Sequence, residues 1–148
     1  MPSDSDAQRT TRARLLLEDL GNAVARLRDA LSQTENEFIR DAAIQRFEFS
    51  FELAWKAVQA VARLEGQPCH SPRAAVSTAW QNGWVTDEAA WLDMLDARNK
   101  TSHTYRAAVA REVFDSLSGH LPHLGDLREA LLARLAAIEG SSVWSRND

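Results

Sequence analysis

The sequence predicts an all-α fold, an antiparallel up-and-down helical bundle with a four-helix core and additional short helices. Three observations carry this. Apolar residues recur at three- and four-residue steps in segment after segment, the spacing that lines one face of an α-helix. No stretch of useful length alternates apolar and polar residues as a half-buried strand would. The connections between the periodic segments are short and carry Gly, Pro, Asn and Ser, which suits antiparallel neighbours.

Residues 1–10 are polar and small and read as a disordered N-terminal segment. From Thr11, Leu16, Leu20, Val24, Leu27 and Leu31 form the stripe of a first helix. Gly21 sits inside it at about 1 kcal/mol relative to alanine, either tolerated or serving a close helix approach. Residues 32–36 read as a turn.

The second helix is expected over Glu37–Leu64. Ile44, Phe47, Phe51, Ala54, Val58 and Val61 make one stripe, and Phe49, Leu53, Ala57, Ala60 and Leu64 a second beside it. Only a narrow polar line remains, containing Glu48, Glu52 and Lys56. A face that wide is enclosed by neighbours on several sides, or shared between the core and a second subunit. Glu52 and Lys56 are spaced for an i,i+4 pair, and Trp55 reads as a packing residue.

Gly66-Gln67-Pro68 ends that helix. Ser71-Pro72 restarts the chain, with serine as N-cap and proline in the first turn. Ala75, Val76, Ala79 and Trp80 give a short third helix, and Asn82-Gly83 supplies a left-handed terminus. Trp80 and Trp84 are placed to cover the end of the bundle. Thr86 is the expected cap of a fourth helix with Asp87 and Glu88 in its acidic first turn. A fifth helix is expected around Val109, Val113, Phe114 and Leu117, broken by Gly119 and Pro122. A sixth follows at Leu124, Leu127, Leu131, Leu135 and Ile138 and ends at Gly140. The expected division is a single bundle domain over residues 11–140 and a flexible tail over 141–148 that carries Trp144.

The 148 residues fit one domain with a real core. A net charge of -4 excludes a generally basic nucleic-acid coat protein. A local basic patch or a basic protein partner is still compatible with it. The single cysteine, Cys69, excludes an intrachain disulfide and a multi-cysteine metal cluster. Residues 1–6 have neither the basic region nor the apolar run of a signal peptide. No segment is apolar and long enough to span a bilayer, so the protein reads as cytoplasmic. There is no glycine-rich phosphate loop. His120 and His123 would give a metal only two ligands. Neither a metal nor a cofactor is expected.

The polar stretch Arg98-Asn99-Lys100-Thr101-Ser102-His103-Thr104-Tyr105 stands apart from this frame. In an unbroken helix Arg98 and His103 would point about 140° apart. Thr101, Ser102 and Thr104 are good partners for local backbone, so the fourth helix should end or bend here and let the two side chains converge. An arginine can clamp a phosphate with a planar fork of donors, and a histidine can move a proton near neutral pH. Together they suit metal-independent RNA cleavage, the histidine drawing the proton from a ribose 2′-OH and the arginine steadying charge on the phosphoryl group. One histidine cannot be both base and acid, and a symmetric dimer would supply a second. Lys100, Arg106 and Arg111 could add phosphate contacts. The same residues also fit a structural role, with Arg98 paired to Asp93 or Asp96, His103 capping a helix and the Tyr105 ring buried. Non-catalytic phosphate or nucleotide binding fits as well.

Two segments, residues 46–56 (RFEFSFELAWK) and 91–105 (WLDMLDARNKTSHTY), together with the Ser71-Pro72-Arg73 start, resemble the nucleotidyltransferase substrate-binding protein family, within the wider HEPN group of helical domains. The resemblance runs from the first helix to about the sixth. It implies a HEPN-like homodimer whose arginine–histidine motifs meet in a cleft. In many such proteins the activity is metal-independent ribonuclease, in some as the toxin of a toxin–antitoxin pair. It implies catalytic roles for Arg98 and His103 and a supporting role for Asn99. It also implies a minimal nucleotidyltransferase partner that adds AMP to Tyr105 and silences the nuclease. The family's older name implies instead a non-catalytic subunit that binds substrate for the nucleotidyltransferase.

Overall fold

The computed structural model describes the backbone of residues 4–147 and the side chains of residues 5–141. Helices α1 (Asp4–Leu31), α2 (Glu37–Leu64), α3 (Pro72–Gln81), α4 (Glu88–Lys100) and α5 (Ala107–Asn147) follow in order, with a 3-10 turn at Thr101–His103 between the last two. No strand occurs among the described residues. The fold is the expected all-α bundle. Three long helices, α1, α2 and α5, pack on one another, α3 packs on α2 and α4, and α4 lies against α5 and α2.

The core forms where the apolar stripes meet. Phe47 and Phe51 of α2 are fully buried, with Leu17, Leu20 and Leu27 of α1 and Leu117, Leu124, Leu127 and Leu131 of α5 around them. Trp91 and Met94 of α4 complete the cluster. Fully burying a side chain of this size contributes roughly 1.5–3 kcal/mol. In α1 the buried register runs through Leu17 and not Leu16, which is only partly buried. In the second stripe of α2, Ala57 and Ala60 are buried while Phe49 stays 53% exposed.

Several chain breaks follow local chemistry. Asn36 caps α2 by accepting from the Ile39 amide at 2.8 Å. Ser71 caps α3 by accepting from the Ala74 amide at 3.1 Å, with Pro72 in the first turn. The Gln67 and Asn82 side chains bond to each other and tie the two ends of this excursion together. Gly83, at φ 73°, takes the left-handed conformation that its lack of Cβ permits. Gly21 serves a close approach: the Arg128 guanidinium lies across it and donates to the Leu17 carbonyl at 2.7 Å.

Several expectations are corrected. The cap of α4 is Asp87, not Thr86: its carboxylate accepts from the Ala90 amide at 3.0 Å, and aspartate is at least as good a cap as threonine. Gly119 and Pro122 do not separate two helices, because α5 passes through both. Its buried face, Leu117, His120, Leu124 and Leu127, is continuous across them. That burial outweighs helix penalties of about 1 kcal/mol for glycine and about 3 for proline. Gly140 does not end α5 either. Helical backbone extends from Asp4 in α1 and to Asn147 in α5. Trp84 is buried as expected, whereas Trp80 is 45% exposed. The environment of the Trp144 side chain lies outside the described residues.

Candidate functional site

The end of α4 is built by three hydroxyls. The Thr101 hydroxyl donates to the Arg98 carbonyl at 2.6 Å, Ser102 to the Asn99 carbonyl at 3.2 Å, and Thr104 to the Thr101 carbonyl at 3.1 Å. Carbonyls at a helix C-terminus have no intrahelical partner, so these short polar side chains satisfy them and stop the helix. The Arg106 amide then donates to the His103 carbonyl, and α5 begins at Ala107. The expected break therefore falls between Arg98 and Tyr105.

Arg98 lies in the last turn of α4. Its guanidinium donates to Glu52 of α2 at 3.1 Å and to the Asn99 side chain at 3.3 Å, and stands 5.8 Å from the centre of the Phe51 ring. Glu52 also holds Lys56 at 3.5 Å, the expected i,i+4 pair. One turn earlier, Glu48 has its carboxyl pKa raised by partial burial, and the Arg98 charge pulls it back down. The pairing of Arg98 with Asp93 or Asp96 is replaced by this contact to α2. Asp96 instead binds Lys100, together with Glu112, at 3.2 and 2.6 Å. Hydrogen bonds to Glu112 first and Asp96 second raise the Lys100 pKa, so its charge is engaged by carboxylates. Arg111 is engaged by Glu35 at 2.8 Å.

His103 and Tyr105 turn outward. The His103 Nδ1 lies 3.3 Å from the Tyr105 hydroxyl, and the rings meet edge to face at 76° with centres 5.9 Å apart. Tyr105 is 74% exposed, so its ring is not a core ring. The Arg106 guanidinium sits 5.7 Å from the centre of that ring. The turn thus places Arg98 and His103 on one helix end, yet no hydrogen bond or ring contact joins them among the described residues. Each is held by a different partner.

His120 packs as a core ring. It is buried, stacks on Phe47 at 5.7 Å and 22°, and its pKa is lowered by burial and by His123 and raised by Asp93. No group of three or more His, Cys, Asp or Glu side chains is placed to hold a metal among the described residues. Glu52 and Glu48 are the site residues that the sequence reading passed over. Their signal was faint: two carboxylates one turn apart on the narrow polar line of an otherwise apolar helix.

Comparison with known proteins adds to this geometry. The family described as nucleotidyltransferase substrate binding protein like matches residues 15–133. A crystal structure of a protein from Thermus thermophilus is 38% identical, with a TM-score of 0.65, covering 78% of this chain and 98% of that one. A Haemophilus influenzae protein is 23% identical, with a TM-score of 0.62, covering 82% of this chain and 98% of its own. Its structure is described as revealing the fold of a substrate binding domain of a nucleotidyltransferase. No curated protein gives a significant match. No helix among the described residues is long and apolar enough to cross a membrane.

Proposed function

The chain belongs to the nucleotidyltransferase substrate binding protein like family, and from that premise we propose that it is the helical companion of a separate nucleotidyltransferase and presents Tyr105 to it as the acceptor of a nucleotide. One observation carries the acceptor role: Tyr105 is 74% exposed with its hydroxyl against His103. A phenol held at a helix break, clear of the core, can enter another enzyme's active site without unfolding its own domain. The test is co-purification with the nucleotidyltransferase, followed by mass spectrometry after incubation with ATP. An unmodified Tyr105 beside an active partner would count against the acceptor role.

A second reading rests on the sharing of one helix end by Arg98 and His103. In many members of the HEPN group that the sequence resembles, this pair belongs to a metal-independent ribonuclease completed by the same stretch of a second chain, in some used as a toxin. His103 would take the ribose 2′-OH proton as the 2′-oxygen attacks phosphorus. The second subunit's histidine would protonate the departing 5′-oxygen. Arg98 would release Glu52 to grip the phosphate. Both partners of that pair are about a third exposed, and such a bridge is worth only about 0–1 kcal/mol, so phosphate can compete for it. Asn99 would support Arg98, and Arg106 would add charge. AMP on Tyr105 would then fill the space beside His103 and keep RNA out. RNA cleavage in EDTA by the wild type, lost in His103→Ala, is the expected result on this reading. A folded dimer that leaves RNA intact removes it.

A further inference from the structure

We propose that His103 is the general base that primes Tyr105, so that the acceptor carries its own catalytic group to the nucleotidyltransferase. This deepens the acceptor reading above and rests on it. The hydroxyls of residues 98–105 fall into two kinds. Those of Thr101, Ser102 and Thr104 donate to backbone carbonyls and serve the helix end. The Tyr105 hydroxyl alone among them faces a side-chain nitrogen able to take its proton, at 3.3 Å, within the reach that general-base transfer needs before a reactive complex tightens it.

The step uses one of the two neutral tautomers of His103. With the proton on Nε2, the Nδ1 lone pair accepts from the phenol. The Tyr105 oxygen attacks the α-phosphorus of a nucleoside triphosphate held by the partner. An oxygen–phosphorus bond forms, and the bond from the α-phosphorus to the bridging oxygen breaks. Pyrophosphate leaves, and the phenolic proton moves to Nδ1. The imidazolium then returns a proton to water. Arg106 supplies positive charge beside the ring, 5.7 Å from its centre, which favours the phenolate as it develops. A phenol ordinarily titrates near 10, so without a base little of it is nucleophilic at neutral pH. The group that would abstract a proton in RNA cleavage would therefore also drive the reaction that silences it.

Tyr105 is the one tyrosine of the chain, so its chemistry can be read without interference. Intact-mass time courses with the nucleotidyltransferase partner and ATP would compare wild type, His103→Asn and Tyr105→Phe across about pH 5.5–8.5. The wild type should gain adenylate, and Tyr105→Phe should not. The His103→Asn rate should fall about 100-fold or more, and the loss of rate toward acid pH that a general base imposes should disappear. A His103→Asn rate equal to wild type with the same acid limb overturns the proposal while leaving Tyr105 as acceptor. No adenylate on the wild type overturns the acceptor reading itself. N-acetylimidazole, which acylates phenols without a partner, then decides the priming alone. Peptide mapping should show Tyr105 acetylated roughly tenfold faster in wild type than in His103→Asn at neutral pH, and equal rates overturn it.

Discussion

Two stretches of this chain carry residues that interrupt helices, and they behave in opposite ways. At residues 101–104 the chain leaves α4, and the Thr and Ser hydroxyls close its last carbonyls. At residues 119–125 two glycines and a proline lie inside one unbroken helix. The difference is burial. Around Pro122, Leu117, His120, Leu124 and Leu127 face the core and hold α5 in register, while Pro122 itself is exposed. At the junction none of Ser102, His103, Tyr105 and Arg106 is buried. Local chemistry therefore wins at the junction and tertiary packing wins in α5. A polar turn on an otherwise packed frame can place reactive side chains outward without weakening the core.

The comparison can be broken from its buried side first. Leu124→Ala removes a fully buried side chain that helps carry α5 through its proline, and should lower unfolding free energy by about 2–5 kcal/mol in a denaturant titration. Next, Pro122→Ala should raise stability by roughly 1–3 kcal/mol, since it restores a helical donor and removes the clash with the preceding turn. A loss of stability there would mean that the proline has a shape to hold. At the junction, Thr101→Ala should cost only about 0.5–1.5 kcal/mol, the worth of its 2.6 Å bond to the Arg98 carbonyl, and amide exchange should quicken in the last turn of α4. The smallest effect is a slope with pH. The folded pKa of His120 lies below its ordinary 6.5, so the unfolded chain binds this proton more readily. Its contribution is fully present above about 6.5 and is lost as pH falls from there toward the folded pKa. The slope of stability over that window should flatten in His120→Leu.

Most of the bundle was legible because helix formation here follows a 3.6-residue period and short capping motifs, both local. Ser71 could be read directly as a cap, and the turn that ends in Asn36 could be read as a break. Where two signals lay side by side the sequence pattern pointed to the wrong one: Thr86 in place of Asp87 for the cap of α4, and Leu16 in place of Leu17 for the buried register of α1. The continuity of α5 was illegible because the packing that overrides Gly119 and Pro122 comes from other helices. The site divides in the same way. The broken helix end, with Arg98 before it and His103 and Tyr105 beyond it, follows from the residues themselves. The partner of Arg98 does not, because Glu52 lies 46 residues away on another helix. Lys100 shows the same limit, since its two carboxylates include Glu112 of α5.

The two regions differ most in what they expose, and Tyr105, 74% exposed at the junction, is the proposed acceptor. The most direct test maps the product of the reaction between this chain, its nucleotidyltransferase partner and ATP by tandem mass spectrometry. The expected result is adenylate on Tyr105 in the wild type and none anywhere in Tyr105→Phe. An active, bound nucleotidyltransferase that leaves Tyr105 bare, or that modifies another residue in its place, would contradict the account.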